Sequence, residues 1–166
     1  AQIFISHSSA DTKWVELIAA HATALGVTPY LAEHDPRPGT NLSQKVREAI
    51  RASDAMIVLL TTNSMESPYV QQEIGVAVEQ GKLVVPLVHP DVEGRSRALL
   101  DGVEYIVLDF ASPAPATTAL IGQLQMIAER AADQQAAERR REMIGNAIVV
   151  GVLIGLIILA LQAESG

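Results

Sequence analysis

Short apolar runs recur along most of the chain, and each is followed by a polar stretch and then by apolar residues at helical spacing. Ile3-Phe4-Ile5 is the first run; Trp14, Leu17, Ile18, His21 and Leu25 then return at intervals of three and four until Gly26, a natural helix stop. Residues 27–31 predict a second strand, and after its loop Leu42, Val46, Ala49 and Ile50 share one face of a helix capped by Thr40 or Asn41. The apolar run 55–60 predicts a third strand and 61–66 a polar loop. Ser67-Pro68 then supplies the cap and first position of a helix whose core face is Val70, Ile74, Ala77 and Val78, ending at Gln80-Gly81.

Residues 83–88 read as a fourth strand, in which Pro86 removes a ladder donor and so belongs near a strand end or at an unpaired position. A short helix is expected within 94–100, a fifth strand at 105–108, and a Pro-containing turn at 112–115. A long final helix beginning near Thr117 turns Leu120, Ile121, Leu124, Ile127 and Ala131 toward the sheet. Strands that alternate with helices through short links require a parallel sheet. The predicted fold class is therefore α/β: a flavodoxin-like five-stranded parallel sheet with helices on both faces, plus a C-terminal transmembrane helix.

That last element is read from residues 143–161, where only Asn146 is strongly polar. At about 1.5 Å per residue the stretch reaches the ~30 Å of a bilayer's hydrocarbon core. The alternative is a buried core helix, which so small a domain would have to surround on all sides. Arg139, Arg140 and Arg141 precede the run and only Glu164 carries a side-chain charge after it, so the positive-inside bias places the N-terminal domain on the cytoplasmic side of a single-pass membrane protein. No basic and apolar leader precedes the first strand. The expected organisation is a domain at 1–131, a helical juxtamembrane linker at 132–142, a transmembrane helix at 143–162 and a short tail at 163–166. No breaker separates Ala131 from the span, so the helix is expected to run on without a joint. Gly151 and Gly155 form a small-xxx-small pair that permits close helix approach, although glycine is frequent in membrane helices anyway.

With 166 residues, 49% of them apolar, the chain can bury one sizeable core. Absence of cysteine excludes disulfides and thiolate metal sites. A net charge of −7 with no basic stripe outside the arginine cluster argues against a nucleic-acid partner. Histidines at positions 7, 21, 34 and 89 show no ligand spacing, so no metal site is expected; His21 falls on an apolar stripe and reads as a core or boundary residue.

Candidate chemistry comes from three polar segments that each follow a strand. They are Ser6-His7-Ser8-Ser9, the run Glu33-His34-Asp35-Pro36-Arg37-Pro38-Gly39, and the helix that carries Tyr69 and Glu73. Tyr69 and Glu73 stand four residues apart, one helical turn, and so share a face. In an open α/β sheet the loops leaving the carboxyl ends of the strands converge on one crevice, where ligands bind. Taken singly, Glu73 has the ordinary fate of a helix-surface carboxylate, His7 that of a loop cap, and Asp35 with Arg37 that of a surface ion pair.

Taken together, Phe4-Ile5-Ser6-His7-Ser8-Ser9-x-Asp11, the Pro-rich loop ending at Gly39, and Ser67-x-Tyr69-Val70-x-x-Glu73-Ile74 resemble a bacterial Toll/interleukin-1 receptor (TIR) domain over about residues 2–131. The resemblance implies a five-stranded parallel sheet and one of two functions. Some TIR domains are non-catalytic scaffolds; others cleave NAD⁺ at the nicotinamide–ribose bond, with a glutamate four residues after an aromatic. Tyr69 and Glu73 match that position, with tyrosine where the enzymes usually carry tryptophan. The expectation is a membrane-anchored NAD⁺ glycohydrolase or ADP-ribosyl cyclase, activated by TIR oligomerisation and serving antiphage defence or signalling. Glu73 would be catalytic, with His7, Ser8, Pro36, Arg37, Gly39 and Tyr69 binding NAD⁺ as substrate and no cofactor needed. The alternatives are a TIR interaction module and a nucleoside deoxyribosyltransferase-like enzyme.

Overall fold

A computed structural model describes residues 1–31 and 42–164 of the chain, with side chains through Leu31 and from Gln44 to Ile144. The chain divides into two compact units, Ala1–Glu129 and Arg130–Gly166. In the first, five parallel strands form one sheet among the described residues: β1 (Gln2–Ser6), β2 (Thr28–Tyr30), β3 (Ala55–Leu60), β4 (Leu83–Val88) and β5 (Ile106–Val107), in the order β2-β1-β3-β4-β5. Helices α1 (Thr12–Ala24), α2 (Leu42–Ala52), the single turn α3 (Thr62–Met65) and α4 (Pro68–Glu79) follow the strands in turn, and α5 (Ala114–Glu164) closes the chain.

β3 lies between β1 and β4 and is buried along its whole length, which is why its sequence is a continuous apolar run and not an alternation. Its residues still alternate between two cores. Ile57 and Leu59 join Ile3 and Ile5 under Val15 and Ile18 of α1 and Leu120 and Leu124 of α5. Met56 joins Phe4 on the opposite face, against Val46 and Ile50 of α2 and Ala77 of α4. Val58 and Leu60 extend that second face toward Val70 and Ile74 of α4. Helices therefore cover both faces, as the strand–helix alternation predicts.

The boundaries differ from expectation where tertiary contacts override local pattern. α1 buries Val15, Ile18 and Ala22, whereas Leu17 is 39% exposed; two apolar stripes compete on this helix and the one carrying Val15 faces the sheet. His21 is a boundary residue whose Nδ1 meets the Leu17 carbonyl at 2.8 Å. In α4 the Ser67 cap and Pro68 start are as predicted, but Val76 is buried in place of Val78. The expected loop 61–66 contains α3, closed by a reciprocal cap in which Thr61 and Ser64 each accept from the other's backbone amide. The helix expected within 94–100 is reduced to one 3-10 turn, Ala98–Leu100, and a second such turn, Pro90–Val92, precedes that range. Pro86 does not lie at a strand end or an unpaired position as expected: it is inside β4 and in register with Val58 of β3, while the pairing with β5 begins one residue later, at Leu87.

α5 is one uninterrupted backbone helix of 51 residues, starting three residues before Thr117 with Pro115 in its first turn, where proline is tolerated. Its first turns belong to the first unit, burying Ala116, Leu120, Leu124 and Ile127. The second unit is its continuation. The transmembrane helix expected at 143–162 is not supported: among the described residues no helix is long and apolar enough to cross a membrane. The side chains of that stretch from residue 145 onward, including Asn146, Gly151 and Gly155, lie outside the described residues, as does the expected cap at Thr40 or Asn41.

Candidate functional site

The strand order reverses direction at β1 and β3: β2 lies on one side of β1, and β3, β4 and β5 follow on the other. In a doubly wound sheet this is where the flanking loops part and leave a crevice at the carboxyl ends. Ser6 is the last residue of β1, paired in register with Val58 and fully buried. As an even-numbered residue it shares Phe4's face of the sheet, the face covered by α2 and α4. Its hydroxyl donates to Glu73 Oε2 on α4 across 2.5 Å. That distance is at the short end for O–H···O⁻ bonds, which are the strong ones. A half-buried carboxylate is thus fixed to the end of the first strand.

Tyr69 lies one turn earlier on α4 and is 67% exposed. The Ser67 hydroxyl accepts from the Val70 amide at 3.5 Å and sets the start of this helix, so one cap positions both candidate residues. The ring is accessible over most of its surface and the carboxylate is not.

A second tie holds the loop after β1. Asp11 precedes α1, is 6% exposed, and accepts from Thr61 Oγ1 at 2.7 Å and Asn63 Nδ2 at 3.2 Å. Thr61 is the cap of α3, so the loops leaving β1 and β3 are clamped together through one buried carboxylate. Between the two ties lie His7 and Ser8. Ser8 Oγ accepts from the Ala10 amide at 3.4 Å and opens the turn Ser9–Asp11, leaving its own proton for another acceptor. His7 Nδ1 meets the Ile5 carbonyl at 3.2 Å, while its Nε2 is buried with no hydrogen-bond partner among the described residues.

Sequence reasoning named Glu73, Tyr69, His7 and Ser8; the structure places Glu73 beside β1 through Ser6, and His7 and Ser8 directly after it. Pro36, Arg37 and Gly39 lie outside the described residues. Ser6, Asp11 and Thr61 carry the site and received no role from sequence. A signal existed for Ser6, the one hydroxyl ending an otherwise apolar run, but pattern alone does not reveal the partner 67 positions away. Lys45 of α2 was also passed over; it is 5% exposed, a rare state for a lysine.

On the face of the sheet covered by α1 and α5, Trp14 stacks on Phe110 with centroids 3.8 Å apart and planes 7° apart, and His89 tilts against Phe110 at 4.6 Å. Below them an apolar recess between α1 and α5 is lined by Trp14, Leu17, His21, Leu108, Thr117 and Leu120. It lies on the face of the sheet opposite Glu73 and offers no carboxylate.

Residues 3–124 match the TIR domain family. The Brachypodium distachyon protein named probable 2' cyclic ADP-D-ribose synthase BdTIR is 26% identical over 88 residues, a match covering 52% of this chain and 39% of that protein. Among solved structures, the TIR domain of the Toll-related receptor TRR-2 from Hydra magnipapillata superposes with a TM-score of 0.63 at 14% identity, covering 76% of this chain and 97% of that one. The Clostridium botulinum CMP N-glycosidase BcmB gives 0.55 at 21% identity over 72% of this chain and 97% of its own. The TIR domains of the activated Roq1 resistosome give 0.51 at 15% identity over 77% and 83%. At these identities the solved structures share the fold, and the family match covers well over half of the sequence: the chain belongs to the TIR domain family.

Proposed function

We propose that the protein cleaves the nicotinamide–ribose bond of NAD⁺, with Glu73 as the catalytic carboxylate and activity promoted by assembly of several TIR domains. The observation that carries this reading is the 2.5 Å bond from Ser6 Oγ to Glu73 Oε2, which holds a carboxylate at the reversal of strand order. Similarity to a protein named as a cyclic ADP-ribose synthase supports the choice of substrate.

The chemistry suits one fixed carboxylate. Nicotinamide departs from a positively charged ring nitrogen as a neutral molecule, so the leaving group needs no strong acid. Positive charge develops on the ribose carbon instead. A carboxylate beside the sugar stabilises that oxocarbenium-like state, as in glycoside hydrolysis, and a preorganised one does so without reorganisation. The exposed Tyr69 ring offers a face for the nicotinamide or adenine ring. Water or a ribose hydroxyl then completes the reaction, giving a linear or a cyclic product.

The test is product analysis after incubating the protein, clustered on beads or at high concentration, with NAD⁺. Nicotinamide release is expected, together with a loss of at least about 10²-fold in Glu73→Gln at unchanged circular dichroism. Equal turnover by Glu73→Gln defeats the catalytic assignment. Parallel incubations with deoxynucleosides and with CMP separate NAD⁺ cleavage from other N-glycosidase and transferase activities, and a preference for either defeats the choice of substrate.

A further inference from the structure

We infer that His89 is a pH-operated joint: uncharged, its Nδ1 caps the 3-10 turn Pro90–Val92, and on taking a proton from solvent the same nitrogen turns to the Asp91 carboxylate, moving the ring against Phe110 and, through it, Trp14. The inference is independent of the NAD⁺ reading. Two groups compete for one atom. The Asp91 backbone amide lies 3.3 Å from Nδ1 and is only a donor, so it needs a lone pair there. Asp91 Oδ2 lies 3.4 Å from the same nitrogen and, when ionised, only accepts, so it needs a proton there. The structure shows the first arrangement, since the amide contact has hydrogen-bond geometry and the carboxylate contact is one of proximity alone. One ring nitrogen serves one of these partners at a time. Acidity selects between them, because histidine is the side chain suited to changing charge near neutral pH.

The surroundings confine the response to side chains. The His89 amide donates to the Leu60 carbonyl at 2.8 Å, the His89 carbonyl accepts from the Val92 amide at 3.0 Å, and Val92 is fully buried, so the backbone of the turn is pinned. The imidazole is free to rotate toward a carboxylate whose side chain is 74% exposed. On its other side the ring lies tilted on Phe110, which lies flat on Trp14 of α1. The turn after β4 is thereby linked to the helix after β1 through three rings. Charged groups on the neighbouring elements have other contacts. Asp109, just before Phe110, accepts from the Ala111 amide at 2.8 Å; Glu93, just after the turn, accepts from the Tyr105 hydroxyl at 3.3 Å; Lys13 of α1 lies 5.6 Å from the Trp14 ring centre. His21 is the other titratable group on this side: it lines the recess with Trp14, and its Nδ1 meets the Leu17 carbonyl.

Two-dimensional ¹H–¹⁵N correlation of the intact protein between about pH 8 and about pH 5 is the test. At the upper end the His89 ring is expected to carry its proton on Nε2 with Nδ1 bare, and at the lower end to carry protons on both. The backbone amide of Asp91 and the indole N–H of Trp14 should shift with the same midpoint as the ring. Three variants assign the parts. His89→Gln should lose both shifts. Asp91→Ala keeps the backbone amide but has no carboxylate to receive the ring, so the ring and the residue 91 amide should still titrate together while the Trp14 shift is lost. His21→Asn should retain both shifts. A neutral His89 ring with its proton on Nδ1, or an Asp91 amide that does not follow the ring, overturns the inference in the intact protein without recourse to any variant. So does a Trp14 shift that survives His89→Gln or Asp91→Ala, or one that disappears in His21→Asn.

Discussion

Ser6 Oγ and Glu73 Oε2 lie 2.5 Å apart, joining the last residue of β1 to the second turn of α4 across 67 positions of sequence. Ser6→Ala removes that donor while leaving the strand's backbone ladder and the apolar core around Phe4 intact. Glu73 then loses one of the groups that aim it. Expected is a fall of about tenfold in kcat for NAD⁺ cleavage with KM little changed, since a misaimed carboxylate acts on the transition state more than on binding. Steady-state kinetics check this, and an unchanged kcat would show that Ser6 does not position the acid.

Asp11 makes a prediction about stability. Asp11→Ala leaves the Thr61 hydroxyl and the Asn63 amide without their acceptor at a residue that is 6% exposed. Leaving a donor unsatisfied in such a place costs about 1–3 kcal/mol. Urea denaturation should register the loss as a lower midpoint at constant slope. Cleavage of NAD⁺ should fall as well, because the same clamp holds the segment that carries His7 and Ser8.

Tyr69 should behave in the opposite way. At 67% exposure its ring adds little to the fold, so Tyr69→Ala is expected to leave stability within about 0.5 kcal/mol. Its effect belongs in KM, through loss of a stacking face, and Tyr69→Trp should preserve or improve binding. Thermal melts and kinetics on the three side chains test both halves. A large drop in melting temperature for Tyr69→Ala would place the ring in the fold and not in the site.

The turn at residues 96–101 carries a pH dependence. Asp101 accepts from Ser96 Oγ at 2.7 Å and from the Arg97 amide at 2.6 Å; the Ser96 bond first and the Arg97 amide second hold its carboxyl below the ordinary 3.8. A lowered folded value means that the stabilisation is present above the unfolded value and is lost as pH falls through the folded one. Exchange protection of the Arg97 amide should therefore persist at pH 5 and disappear only below about pH 3.8. Asp101→Asn should weaken that protection at neutral pH and flatten its acid dependence.

The sequence made the layered architecture legible because each strand was announced by its own residues. β3 reads as buried from six consecutive apolar side chains, and α4 reads as a helix from Ser67-Pro68 and the recurrence of Val70, Ile74 and Ala77. Spacing put Tyr69 and Glu73 on one helix face, but their candidate role came only from the resemblance to TIR domains. What stayed hidden depended on partners distant in sequence. Nothing local in Thr61 or Asp11 reveals that they meet, since their bond spans 50 positions. α1 shows the same limit from the other side: Trp14, Leu17 and Ile18 make a plausible stripe, and only packing against β1 and α5 decides that Val15 goes in and Leu17 stays out. The apolar stretch after Met143 was read from composition, and the described residues do not support it as a membrane crossing.

Trp14 is the sole tryptophan of the chain, and its indole lies flat against Phe110, a residue of the segment after β5. Its intrinsic emission is therefore an optical signal from one known place in the fold, where the helix after β1 meets the segment after β5. Because that contact lies on the side of the sheet away from Glu73, fluorescence can follow unfolding in every variant discussed above without any dye, label or change to the reacting groups.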